Sequence, residues 1–310
     1  MSFVPLRLRS PALLSVVAVV VFVIVAAACW GRWPGNGAGS PRPAPAPGHG
    51  STTRVERLLH DAEQLLLRTC MRRAGFDYHP VPGEQGTGGR DFPYVLDDPV
   101  WAARHGYGRD LQQRLRERAR RDPNGAYFRS LSAPRRALAL VAANGPGPRG
   151  VSASLPTGGA VRRSDQGCVS DAQRRLYGDL KAWFQASTTV HALDGMRRSR
   201  VVADHRYARD LAAWAQCMRR AGHPYATPGE ARAAALSGTR PLPRAQETAL
   251  ALAEVRCAGR SGLARTAREL DARHGAALRR QYRSAIAEKA RLQTEALPRA
   301  RAVVGGSGRS

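Results

Sequence analysis

Lysine is almost absent from this chain of 310 residues, occurring only as Lys181 and Lys289. A phosphate loop of the Walker type needs a lysine behind a glycine, and Leu180 and Glu288 precede these two. No Gly-x-Ser-x-Gly elbow and no His-Glu-x-x-His helix occurs. Acidic residues are scarce and dispersed, with no spacing that pairs two carboxylates for glycoside cleavage. Asn36, Asn124 and Asn144 all lack the hydroxyl residue of a glycosylation sequon. Aromatic content of 6% and mean hydropathy of −0.39 exclude a polytopic membrane protein. The sequence therefore assigns no catalytic residue, no cofactor and no metal.

What is abundant is arginine. Lys+Arg number 49 against 24 Asp+Glu, a formal net charge of +25. Seven arginines (104, 109, 114, 116, 118, 120 and 121) fall in one short stretch against Asp110 and Glu117. Arginine grips phosphate with a two-pronged fork, so Arg114, Arg118 and Arg121 are candidate anion-binding residues. Their expected partners are anionic lipid headgroups, phosphate-bearing wall polymers or other acidic envelope components.

Location is read from the N-terminus. Arg7 and Arg9 precede an apolar run over 12–29 whose only polar side chain before Cys29 is Ser15. That is the pattern of an export signal. Its end, Ala26-Ala27-Ala28-Cys29, resembles a bacterial lipobox, in which the cysteine is lipidated; leucine is preferred where Ala26 stands. A run of this length also just spans a bilayer core, and a simple cleaved signal is the third reading. All three place the remainder outside the cytoplasm, at the outer face of the cell membrane or secreted. Nucleic acid is not an expected partner there. Residues 30–52 are rich in glycine and proline and read as a linker.

From residue 53 the apolar spacing turns helical, with Val55, Leu58, Leu59, Ala62, Leu65 and Leu66 on one stripe. Helices are expected within 98–121, over 133–143, 169–186, 204–221, 228–236 and 244–260, and in one piece over 263–297. Alternation around Pro156-Thr157-Gly158-Gly159 predicts a small β-hairpin. The expected fold is mainly α: a helical domain over 53–297 with that hairpin, behind an anchor at 1–29 and the linker, and a flexible tail over 298–310.

The most specific signal is an internal repeat. Cys70-Met71-Arg72-Arg73-Ala74-Gly75 recurs letter for letter as Cys217-Met218-Arg219-Arg220-Ala221-Gly222. Tyr78 and Tyr225 follow at the same offset, and Pro-Gly-Glu closes each copy, within 70–84 and 217–230. Each glycine stands where a left-handed helix cap needs no Cβ. With Cys29 in the anchor, Cys70, Cys168, Cys217 and Cys257 remain, an even number for an oxidising compartment. Three pairings exist; the repeat favours Cys70–Cys168 and Cys217–Cys257. No Cys-x-x-Cys and no nearby histidine points to zinc.

The twin motifs, Gly167-Cys168-Val169-Ser170-Asp171-Ala172 running into Arg175-Leu176-Tyr177-Gly178, Trp214-Ala215-Gln216-Cys217, Arg256-Cys257-Ala258 and Ser261-Gly262-Leu263 carry a resemblance. They look like a family of actinobacterial exported proteins, often labelled putative lipoproteins, of unestablished function. The likeness implies an exported, helical, disulfide-bonded domain and adds no catalytic residue. The functional expectation is a non-enzymatic, membrane-anchored extracytoplasmic protein that contacts anionic envelope components or a protein partner. The alternative is a cell-wall-acting hydrolase whose site has no recognisable motif.

Overall fold

A computed structural model describes residues 49–81, 90–236 and 241–307. The expected anchor with Cys29, the linker up to residue 48 and Pro82–Glu84 of the first repeat copy lie outside the described residues. The described chain is mainly α, with twelve helices and one two-stranded sheet.

Helix α1 (His49–Arg73) starts four residues inside the expected linker and buries Leu59, Ala62, Leu66, Leu67 and Met71 along one stripe. Its end is closed twice over. The Gly75 N–H donates to the Arg72 carbonyl and the Phe76 N–H to the Met71 carbonyl, both at 3.0 Å. Gly75 sits at φ 80°, the left-handed conformation this paired cap requires. Three short helices follow, α2 (Pro99–His105), α3 (Arg109–Arg120) and α4 (Pro123–Ser130). Asp98 caps α2 by accepting from the Trp101 N–H, and Asp122 caps α4, each with proline at the first helical position. Helix α5 (Ala133–Asn144) leads into the hairpin, where β1 (Gly150–Ser154) pairs antiparallel with β2 (Ala160–Ser164), Ser152 opposite Arg162.

The expected helix over 169–186 is two helices. Helix α6 (Cys168–Tyr177) ends at Gly178, φ 80°, and Asp179 opens α7 (Leu180–Val202) by accepting from the Ala182 N–H. The break folds Tyr177 flat onto Trp183, ring centroids 3.5 Å apart. Helix α7 then runs sixteen residues beyond Ala186, packed along α11, α12 and β1.

Asp204 caps α8 (His205–Arg220) through the Arg206 N–H. Helix α8 ends as α1 does: Gly222 at φ 82° donates to the Arg219 carbonyl and His223 to Met218. Helices α9 (Pro228–Leu236) and α10 (Arg244–Arg260) stand as expected. The expected final helix breaks at Tyr282 into α11 (Leu263–Gln281) and α12 (Arg283–Ser307). Residues 298–307 of the expected tail are instead the last part of α12, with Pro298 inside it, and 308–310 lie outside the described residues. Burial of Leu292, Ala296 and Ala300, and an Arg299 Nε bond to the Leu176 carbonyl at 2.7 Å, hold the helix through the proline.

Two apolar clusters form the interior, and each holds one disulfide. Leu59, Leu66, Met71, Leu176 and Leu292 surround Cys168, with Cys70 packed against them. Trp214, Met218, Leu250, Leu263 and Leu270 surround Cys217 and Cys257. Cys70–Cys168 has Cα atoms 5.5 Å apart and Cys217–Cys257 5.6 Å, the pairing favoured by the repeat.

Candidate anion-binding surface

The arginine-rich stretch is presented by α2 and α3, and its position is set by two carboxylates of α10. Glu247 and Glu254 are 0% and 1% exposed, and both face the segment that enters and leaves α2. Glu254 accepts from the Leu96 N–H at 2.7 Å and from the Tyr107 hydroxyl at 2.5 Å. Glu247 accepts from the Tyr107 N–H at 3.0 Å and pairs with Arg109 at 3.3 Å. Arg109 also donates to the Ala235 carbonyl at 2.5 Å, and Arg244 donates to the carbonyl of Arg104. Gly106 makes the turn at φ 57°, where a Cβ would lie 2.7 Å from Glu247 Oε1. Only glycine fits there.

Burial pushes Glu254 up to about 7, opposed by the Leu96 N–H, the Tyr107 hydroxyl and the charge of Arg232. Burial and the Glu254 charge together raise the Tyr107 hydroxyl. A carboxylate this enclosed, with both oxygens engaged, is fitted to hold a chain segment rather than to exchange protons with a substrate.

Beyond this clamp α3 buries none of its residues. Residues 113–121 are all exposed, and Leu115 is 44% exposed. Arg114 bonds Asp110 at 2.8 Å, and His105 Nδ1 meets the same oxygen at 2.8 Å. Burial pushes Asp110 up, but His105, the Leu111 N–H and Arg114 outweigh it and leave the carboxyl below its usual value. Arg118 and Arg121 make no ion pair with a described residue, and the same holds for Arg116 and Arg120. The seven arginines are thus divided. Arg104 is exposed on α2 at the edge of a groove, Arg109 faces inward as part of the clamp, Arg114 is engaged on its own helix, and Arg116, Arg118, Arg120 and Arg121 stand in solvent.

A shallow groove between α2 and α3 is floored by Trp101 and Leu111 and rimmed by Arg104, Arg114 and Val100. Val100 is 76% exposed, and Trp101 packs on the His105 ring at 4.5 Å.

Elsewhere the titratable clusters are internal ties. Glu63 accepts from Gln173 at 2.8 Å beside Tyr177, and burial raises its pKa. The backbone of His79 exchanges two hydrogen bonds with the Asn124 side chain, and Tyr78 donates to Gln64 at 2.7 Å, so Asp77-Tyr78-His79 lies in a local turn. Among the described residues, no three His, Cys, Asp or Glu side chains are grouped to hold a metal ion. Among the same residues, no helix is long and apolar enough to cross a membrane.

Fold and surface together define a mainly α, doubly disulfide-bonded domain that holds a basic helical arm clear of its core. No protein-family model, curated protein or solved structure matches the chain.

Proposed function

We propose that this chain is a non-enzymatic, membrane-anchored extracytoplasmic protein that contacts anionic envelope components through α3. The observation that carries the reading is the arm itself: four solvent-exposed arginines without acidic partners among the described residues, on and at the end of a short helix fixed by buried glutamates. Desolvating arginine is unfavourable unless an anion meets it, whereas leaving it exposed keeps it ready for one. Two disulfides in separate cores suit an oxidising compartment and support the reading of residues 1–29 as an export and anchoring segment. The hydrolase alternative draws no support from Glu254 or Glu63, the two carboxylates with raised pKa among the described residues, because both are engaged in internal hydrogen bonds.

The test compares two variants of equal net charge on the detergent-solubilised full chain. One replaces Arg116, Arg118, Arg120 and Arg121 by Gln; the other replaces Arg72, Arg73, Arg219 and Arg220, exposed at the two repeat helix ends. On immobilised polyphosphate, the α3 variant is expected to elute at clearly lower salt than the control variant. Equal elution of the two would refute a dedicated arm.

A further inference from the structure

The arm carries more than charge. At 3.6 residues per turn, Leu111, Leu115 and Ala119 share one stripe of α3, about 80° of arc. Arg118 borders that stripe on one side, with Arg114 and the cap residue Arg121 beyond it, and Arg116 and Arg120 lie beyond Gln112 on the other. Leu111 is half-buried and packs on the core around Cys217, so the stripe is inside at its base and outside at its tip. Leu115 is 44% exposed, and Val100, which lines the groove together with Leu111 at the base of the stripe, is 76% exposed. The arm therefore shows water an apolar strip flanked by arginines that have no ion-pair partner among the described residues.

A soluble phosphate polymer would use the arginines alone and leave Leu115 and Val100 in water. A lipid surface uses both. We infer that the α2–α3 arm docks on an anionic phospholipid bilayer, with Leu115 and Val100 entering the interface while Arg116, Arg118, Arg120 and Arg121 hold headgroup phosphates. Long arginine side chains reach back to the headgroup level from a helix whose apolar side lies deeper. Each basic residue near an anionic leaflet strengthens association roughly fivefold, so four suffice to orient a domain already tethered there. The inference rests on the proposed function, from which it selects the lipid over the other envelope anions.

Hydrogen exchange of the α3 amides tests it on the full chain reconstituted into vesicles. Phosphatidylglycerol-containing vesicles are expected to slow exchange over 109–120 by about tenfold relative to pure phosphatidylcholine, with high salt reversing the effect. Leu115→Ser and Val100→Ser, each compared with itself in phosphatidylcholine, are expected to lose most of that protection. Equal exchange in the two vesicle types, or full protection in both serine variants, overturns docking on lipid. Soluble polyphosphate, added to the phosphatidylcholine sample, separates the two failures. Protection by polyphosphate without protection by anionic vesicles leaves the anion-contact reading standing and removes the lipid. Protection by neither removes both.

Discussion

The Tyr107 hydroxyl donates a 2.5 Å hydrogen bond to Glu254, a residue 147 positions later in the chain. Through that bond and the Glu247 bond to the Tyr107 N–H, helix α10 fixes the turn from which the basic arm springs. The placement of an exposed helix is thus decided by the least exposed carboxylates among the described residues.

A pH dependence of stability follows from Glu254. Its folded pKa is raised to about 7 from the ordinary 4.5, so between those values the folded chain keeps a proton that the unfolded chain has lost. Stability is fully present below about pH 4.5 and declines as pH rises to about 7, by about 3 kcal/mol at most. Glu254→Gln removes the ionisation and is expected to flatten that decline. Urea unfolding across the window measures both slopes; parallel slopes for wild type and variant would contradict the account.

Three glycines are expected to behave differently although all have positive φ. Gly75 and Gly222 have nothing within 4 Å of a built Cβ, so alanine at either costs only the left-handed backbone strain, about 1–2 kcal/mol, and similarly in both repeat copies. Gly106→Ala adds a clash with the buried Glu247 carboxylate and is expected to be the most damaging of the three. Denaturation midpoints of the three single variants give the ranking. Equal effects at all three sites would show that the Glu247 contact is unimportant.

Each disulfide closes its own core, so removing one is expected to leave the other paired. The double replacement Cys217→Ala and Cys257→Ala should cost about 2–5 kcal/mol while non-reducing peptide maps still show Cys70 joined to Cys168. A map in which Cys70 or Cys168 carries a free thiol in that variant would mean the cores do not form separately.

Lipidation at Cys29 is tested by intact mass of the membrane-extracted protein. Cys29→Ala is expected to abolish the lipid mass and release the domain from membranes. Unchanged mass and unchanged membrane retention would instead identify the apolar run at 12–29 as an uncleaved spanning helix.

The helical plan and the cysteine pairing were legible because both rest on local spacing. Apolar residues recur along α1, and a letter-for-letter repeat ends two helices with the glycine that the cap demands. The missed breaks have local causes as well. Tyr177-Gly178-Asp179 is a stop followed by a cap, and it was hidden by apolar periodicity that continues on both sides. Helix α12 passes through Pro298 only because distant residues bury Ala296 and Ala300, which no window of sequence contains. The arm was visible as a run of arginines, but its division was not. Arg109 is turned inward by Glu247 and Ala235, more than a hundred residues away. No sequence signal separates Glu247 and Glu254 from the exposed acids of a solvated helix.

The two bridges also set what happens when the backbone is cut. A single cleavage anywhere between Cys70 and Cys168, which includes the whole of α2 and α3, leaves both pieces joined through sulfur. The same is true between Cys217 and Cys257. A nick before Cys70, between Cys168 and Cys217, or beyond Cys257 is crossed by neither bridge and divides the chain covalently. A singly nicked arm therefore stays joined through sulfur to the Cys70 helix, whereas one cut ahead of Cys70 frees the arm together with both cores.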